Sequence, residues 1–309
     1  MAELRFDGRT AIVTGAGGNP SLGRAHAMLL ASRGANVVVN DIGRDPESPH
    51  YADSASAERV AQEIRALGGA AVSDTSNIAG EAGANALIRT AIDAFGSVDI
   101  LVNNAGLSLA APVDEMSAHD HERHMAINLT GSLLTCRAAW PHMKAKGYGR
   151  IINTASGALA GYAWLVAYGA SKGGVFSLSR ALAAEGGAYG IKVNTINPGG
   201  FTRMVTAQQF DSSPIVQQAR EHFPAELASP IVGFLAHEDC PVTGECFESV
   251  GGMVRRVYVA HNSGILDPDI DMEMIRDRWA EVIDSASSTI IPCGDVDTTQ
   301  WDFKPYQPQ

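Results

Sequence analysis

The chain has 309 residues, 45% of them hydrophobic and only 6% aromatic, with 32 glycines and a formal net charge of -11. That length suits one α/β domain with additions, or two small domains. The acidic balance argues against nucleic acid or an anionic membrane as a main partner. An anionic small molecule stays open, because backbone amides bind phosphate without side-chain charge. The four cysteines, Cys136, Cys240, Cys246 and Cys293, form no CxxC pair and no metal-type spacing. A reduced, cytoplasmic protein is expected. The N-terminal MAELRFDGRT lacks a signal-type apolar run, and no apolar stretch is long enough to span a bilayer. The C-terminal YQPQ matches no lipidation or peroxisomal address.

In chain order, β-branched runs predict strands at Thr10–Thr14, Asn36–Asn40, Ala70–Ser73, Asp99–Asn103, Arg150–Thr154, Ile191–Ile196 and Cys246–Ser249. Helix-like stretches lie between them at 22–33, 54–67, 81–95, 117–146, 168–188 and 225–236. This alternation implies βαβ units, and so a doubly wound parallel sheet of the Rossmann type. Residues 43–53 read as a polar loop, residues 199–224 as a lid, and 252–309 as a tail with one amphipathic helix near Asp269–Asp284. One catalytic domain over 1–255 is expected, with 256–309 as an extension rather than a second domain.

The first predicted strand runs into GAGGNPSLG and then a helix, so Gly15, Gly17, Ser21, Leu22 and Gly23 form a turn where backbone could approach a pyrophosphate. Gly15 and Gly23 stand eight positions apart, with Ser21 where a middle glycine would belong. Asp41 ends the second strand, where a carboxylate could accept hydrogen bonds from the adenosine ribose and repel a 2′-phosphate; this favours NAD over NADP. Arg24 and Arg44 are near enough in sequence to soften that preference. Asp74, after the third strand, could accept a bond from an adenine amino group or simply cap a turn.

Tyr168 and Lys172 are spaced i, i+4 and share a helix face. A cation about 4 Å from a phenol favours phenolate by about 4 kcal/mol at an effective dielectric of about 20, while burial opposes it. A net acidified tyrosine is expected, poised to move a proton. His119, His121 and His124 read as a solvated helix surface, and no metal is expected.

Together, TGAGGNPSLG, NNAG at Asn103–Gly106, Asn128, Ser156, YGASK at Tyr168–Lys172 and NPGGFT at Asn197–Thr202 resemble the short-chain dehydrogenase/reductase family over about residues 5–255. Within it the chain is similar to (3R)-hydroxyacyl-CoA and hydroxysteroid dehydrogenase members, on VVVNDIG, CRAAWPHMKAKGYGRII and SPIVGFLAHEDCPVTGECFESVGG. The resemblance implies Tyr168 as general acid/base, with Lys172 lowering its pKa and holding the nicotinamide ribose. It implies that Ser156 binds the substrate oxygen and that Asn128 holds a water linking Lys172 to solvent. Asn104, Ala105 and Gly106 would wall the cofactor, and Pro198, Gly199 and Thr202 would clamp its amide. Ser156 stands twelve residues before Tyr168 rather than the commoner thirteen, and Ala155 holds the other register. Tyr-x6-Lys, the enoyl reductase pattern, is absent, since position 165 is Leu.

A pocket walled by Leu107–Pro112, Gly157–Leu165 and the lid would be apolar. The leading expectation is an NAD-dependent oxidoreductase of an apolar, cyclic or steroid-like secondary alcohol and its ketone. The alternatives are a (3R)-hydroxyacyl-CoA dehydrogenase and a non-catalytic NAD-sensing protein. A homodimer or homotetramer is expected from the family.

Overall fold

The computed structural model describes residues 2–45, 48–53, 55–202, 218 and 220–294. Eight strands form one sheet in the order β10-β9-β8-β7-β6-β1-β2-β5. They are β1 (Thr10–Thr14), β2 (Asn36–Asn40), β5 (Ala70–Asp74), β6 (Ile100–Asn103), β7 (Gly149–Thr154), β8 (Ile191–Gly199), β9 (Cys246–Val250) and β10 (Met253–Val257). All pairs are parallel except β10 on β9. Strand order reverses beside β1, between β2 and β6, and in open α/β sheets such a reversal opens a crevice above the carboxyl ends.

β1, β6 and β7 are buried along their whole length, which explains near-continuous apolar runs such as TAIVT instead of alternation. One face packs Ala27, Leu30, Val60 and Ile64 from α1 (Leu22–Ser32) and α2 (Ser56–Ala66), with Leu235 from the helix Ser229–Ala236. The other packs Leu87, Ile88, Cys136, Ala139 and Met143 from α3 (Glu81–Phe95) and α5 (Gly131–Lys146), and Ala183 from α6 (Val166–Gly186). The doubly wound sheet is therefore as expected.

Four elements differ from the sequence reading. The loop after β2 contains a hairpin, β3 (Arg44–Asp45) on β4 (Ser48–Ala52). The expected single helix over 117–146 is α4 (Ala118–His124), a π-helical stretch (Met125–Thr130) and α5 in succession. β10 extends the sheet past the last expected strand; Arg256 makes a bidentate pair with Glu245 at 2.7 Å, and Arg255 pairs with Glu248. The tail helix is two short pieces, Met272–Asp277 and Trp279–Val282, neither with a buried residue.

The tail nevertheless docks on its own subunit. Arg180 on α6 donates to the Ile291 carbonyl at 2.8 Å, and the Cys293 thiol donates to Arg180 O at 3.1 Å. All four cysteines are free. Among the described residues no helix is long and apolar enough to cross a membrane.

Candidate active site

The turn after β1 is built for close approach. Gly15 has φ +64°, and a Cβ there would stand 2.7 Å from Ala105 Cα. A Cβ on Gly17 would meet Ser56 Oγ at 2.4 Å, and one on Gly23 would meet Asn104 Nδ2 at 2.5 Å. Ser21, in the expected glycine position, caps α1: its Oγ accepts from Arg24 N at 3.1 Å and donates to Gly18 O at 3.0 Å. Leu22 opens the helix and faces Gly200, whose added Cβ would lie 3.3 Å from Leu22 Cδ2.

Asp41 folds back on this turn. Its carboxylate accepts from Gly17 N at 2.9 Å and from Gly43 N at 2.8 Å. Arg24 is committed elsewhere, its guanidinium paired with Glu63; the side chain of Arg44 lies outside the described residues. Asp74 accepts four bonds, from Asn40 Nδ2, Ser76 N, Ser76 Oγ and Thr90 Oγ1, at 2.7–3.2 Å. Those four bonds hold the turn after β5.

The NNAG segment is stitched to the glycine turn by a residue that sequence reasoning passed over. Thr14 Oγ1 accepts from both Asn104 N and Ala105 N at 3.0 Å. Asn104 Nδ2 returns to Thr14 O at 2.9 Å and to Gly15 O at 3.2 Å. The available signal was a threonine ending a strand directly before the first glycine. Gly106 leaves room beside Asn128 and Lys172; its added Cβ would lie 3.2 Å from Asn128 Oδ1 and 3.4 Å from Lys172 Nζ.

Strand β7 ends at Thr154, and the Ala155 N–H just past it still donates to Ile196 O. Ser156, the second residue past the strand, caps the short 3-10 turn Gly157–Ala160, and its hydroxyl favours the ionised form of Tyr168. Spacing of twelve therefore brings the hydroxyl, not Ala155, to the phenol. Lys172 is 3% exposed and donates to Thr154 O at 2.7 Å. Its Nζ stands 5.7 Å from the Tyr168 ring centroid.

The expected acidified phenol is corrected here. Burial pushes Tyr168 above its ordinary value, and the Ser156 hydrogen bond only partly offsets this. Burial also lowers Lys172 to about 8. Removal from water disfavours both ions, and the ammonium spends its hydrogen bond on a carbonyl rather than the phenol. The protein alone thus holds a neutral tyrosine.

Asn128 lies fully buried in the π-helical stretch, a feature frequent at functional sites. Its side chain grips Leu107 through both N–H and C=O, at 2.7 and 2.9 Å, and donates to Ser171 Oγ at 2.9 Å. Ser171 Oγ donates to Tyr168 O at 2.8 Å.

The histidine reading is half right. His119 and His121 are exposed, but His124 is fully buried against Tyr168. One helical turn rotates it inward, a position no periodicity argument had picked. Among the described residues no group could hold a metal.

Pro198 and Gly199 end β8, and Thr202 is buried just after. Of the lid, 203–217 and 219 lie outside the described residues, including Arg203 and Met204. Tyr162 and Trp164 are 57% and 61% exposed, which removes core packing as their role. Ala111 N donates to Trp164 O at 2.9 Å, tying the two wall segments together.

A glycine turn opening a helix under a Ser–Tyr–Lys cluster, at the reversal point of a parallel sheet, defines a dehydrogenase built on a dinucleotide-binding fold. The short chain dehydrogenase family matches residues 9–213, and the chain belongs to that family. The chain spans less than two thirds of the length of the first curated relatives it matches. Mouse peroxisomal multifunctional enzyme type 2 is 36% identical over 93% of this chain, but that match spans only 38% of the mouse protein. The (2S)-[(R)-hydroxy(phenyl)methyl]succinyl-CoA dehydrogenase subunit of Thauera aromatica is 32% identical, covering 81% of this chain and 98% of its own length. A crystal structure of a short chain dehydrogenase from Mycobacterium avium superimposes with TM-score 0.75 at 37% identity, covering 89% of this chain and 96% of that one.

Proposed function

We propose that the chain is an NAD-dependent dehydrogenase of secondary alcohols carried on acyl thioesters, in the manner of a (3R)-hydroxyacyl-CoA dehydrogenase. The observation that carries the chemistry is that Ser156, at the head of its 3-10 turn, and Tyr168 and buried Lys172, one turn apart on α6, converge on one point. The thioester reading, weighed above as the alternative to a cyclic or steroid-like alcohol, draws its support from the named relatives. One of them is a dehydrogenase of a CoA ester bearing an (R)-hydroxy(phenyl)methyl group.

The residues fit the dinucleotide. The cradle of Gly15, Gly17 and Gly23 excludes any side chain and leaves backbone at the N-terminus of α1 for phosphate. Asp41 and the absence of a free Arg24 support NAD over NADP. The cofactor supplies the hydride acceptor. The chain supplies proton handling: neutral Tyr168 donates its proton to a carbonyl oxygen in reduction, and accepts one as phenolate in oxidation. The Ser156 hydroxyl stabilises charge on the same oxygen. Lys172, Asn128, Asn104, Ala105, Gly106, Pro198, Gly199 and Thr202 shape the cofactor side of the site. A homo-oligomer is part of this proposal.

Tyr168→Phe tests the assignment. We expect turnover of (3R)-3-hydroxybutyryl-CoA, followed by NADH absorbance, to fall at least about 10³-fold. NADH binding should survive. Wild-type turnover of hydroxysteroids but not of the thioester would return the reading to cyclic alcohols.

A further inference from the structure

The segment Leu107–Leu109 leads out of NNAG, and α4 with its π-helical continuation holds it at two places. Asn128 grips Leu107 on both sides. One turn earlier, His124 Nε2 accepts the Leu109 N–H at 3.0 Å. His124 Nδ1 faces Asp120 O at 2.7 Å, a partner that can only accept. These two bonds fix the neutral tautomer, with hydrogen on Nδ1 and a lone pair on Nε2. Burial, which keeps His124 from titrating at its ordinary value, maintains that form. The ring then meets Tyr168 edge-on, centroids 6.3 Å apart at 67°.

One buried imidazole therefore touches the wall segment on one side and the phenol on the other. We propose that His124 is a positioning residue, which sets the Leu107–Leu109 wall in register with the Tyr168 side chain through its Leu109 hydrogen bond. The inference rests on the reading of Tyr168 as the acid/base. A core histidine with satisfied bonds would contribute to stability only. A positioning residue would also set substrate turnover. The charged and titratable neighbours are Asp120, His121 and Arg123 on its own helix and, across Tyr168, Lys172 on α6.

Two variants separate these roles. His124→Phe keeps an aromatic edge for Tyr168 but leaves the Leu109 N–H without an acceptor. His124→Gln can offer an amide oxygen to the same N–H. With (3R)-3-hydroxybutyryl-CoA and NAD, we expect kcat/KM to fall about tenfold or more in His124→Phe, the size of one unmade bond to a buried amide. His124→Gln should recover most of that loss, and NADH affinity should be unchanged in both. Equal losses in the two variants, no loss in either, or a parallel loss of NADH affinity would overturn the proposal.

A second readout needs no substrate. Tyr168 ionisation can be followed by ultraviolet difference spectra against Tyr168→Phe. Releasing Leu109 admits water beside the phenol, so in His124→Phe ionisation should move back toward ordinary tyrosine, and in His124→Gln it should stay near wild type. Identical titrations of all three proteins would overturn the proposal. If the wild type is inert toward the thioester, the functional reading fails and this titration still decides the role of His124.

Discussion

In the half of the site built on β1, β2 and β5, backbone and neighbouring side chains satisfy the carboxylates and amides, while Ser56 Oγ beside Gly17 is buried with no partner among the described residues. Asp41 takes two amides, Asp74 four donors, and Asn104 is bonded to the strand and turn before it. In the half built on β7 and α6, Lys172 and Thr154 are buried and Tyr168 half-buried, each with few partners. Lys172 donates to one carbonyl, Tyr168 has one hydroxyl neighbour, and Thr154 Oγ1 is buried with none among the described residues. The first half is preformed in shape and costs the fold little. The second holds ionisable groups out of water, a cost that recurs at functional sites. The contrast predicts that changes in the first half lower affinity, while changes in the second trade activity for stability.

Lys172→Met is the largest expected break. Turnover should fall about 10³-fold, as for loss of a group serving proton transfer. Stability should move the other way. The unfolded lysine keeps its proton up to its ordinary 10.5, whereas the folded one releases it at about 8. Below pH 8 the folded state therefore bears the full cost of the buried ammonium, about 3 kcal/mol. From pH 8 to 10.5 stability from this group rises, because the unfolded chain binds more protons. The methionine variant should lose that slope and be more stable at pH 7, less about 1 kcal/mol for the bond to Thr154 O. Urea unfolding at pH 7 and pH 10 measures both; an undiminished slope in the variant would assign it to other groups.

Gly15→Ala sharpens the other side. Its φ of +64° disfavours any side chain, and the new methyl would press on Ala105 Cα at 2.7 Å. We expect NADH to bind about 100-fold more weakly, with about 2 kcal/mol lost from unfolding stability through left-handed strain and local displacement. Nucleotide fluorescence and denaturant melts read the two. An alanine variant with intact affinity would show that the turn tolerates a wider opening than its contacts imply.

The same division explains what was legible in the sequence. Strands β1 and β2 and helix α3 fall where the residues predicted, because an apolar run between turn residues has few other ways to bury itself. Tyr168, Lys172 and Ser156 were legible because their spacing on α6 and at the end of β7 fixes where they meet. The π-helical stretch around Asn128 was not, since its residues are ordinary helix formers and the widened turn arises from packing. His124 was misplaced because helical periodicity alone could not show that the last turn of α4 faces inward. The direction of the Tyr168 shift was missed for a related reason. Coulomb attraction can be read from an i, i+4 spacing, but desolvation depends on the whole surrounding wall. β10 lies exposed at the sheet edge and the hairpin after β2 is short and polar, so their pairing comes from their partners.

The smallest effect concerns Asp41, where two readings of one carboxylate compete. As a ribose acceptor it would set cofactor choice. As a turn residue it would only hold Gly17 N and Gly43 N, the two bonds the structure gives it. Asp41→Asn keeps the shape and one acceptor oxygen, removes the charge, and turns a donor toward one of those amides. If the carboxylate selects the dinucleotide, NADH affinity should fall about tenfold, the size of one charge-assisted hydrogen bond. NADPH affinity should hold or rise, because the repulsion of a 2′-phosphate is gone. The informative quantity is the ratio of the two dissociation constants. Distortion of the turn weakens both dinucleotides alike and leaves the ratio fixed, whereas loss of selection moves it. A fixed ratio would confine Asp41 to holding the turn, and dinucleotide preference would then have to arise in the loop after β2, where Arg44 lies.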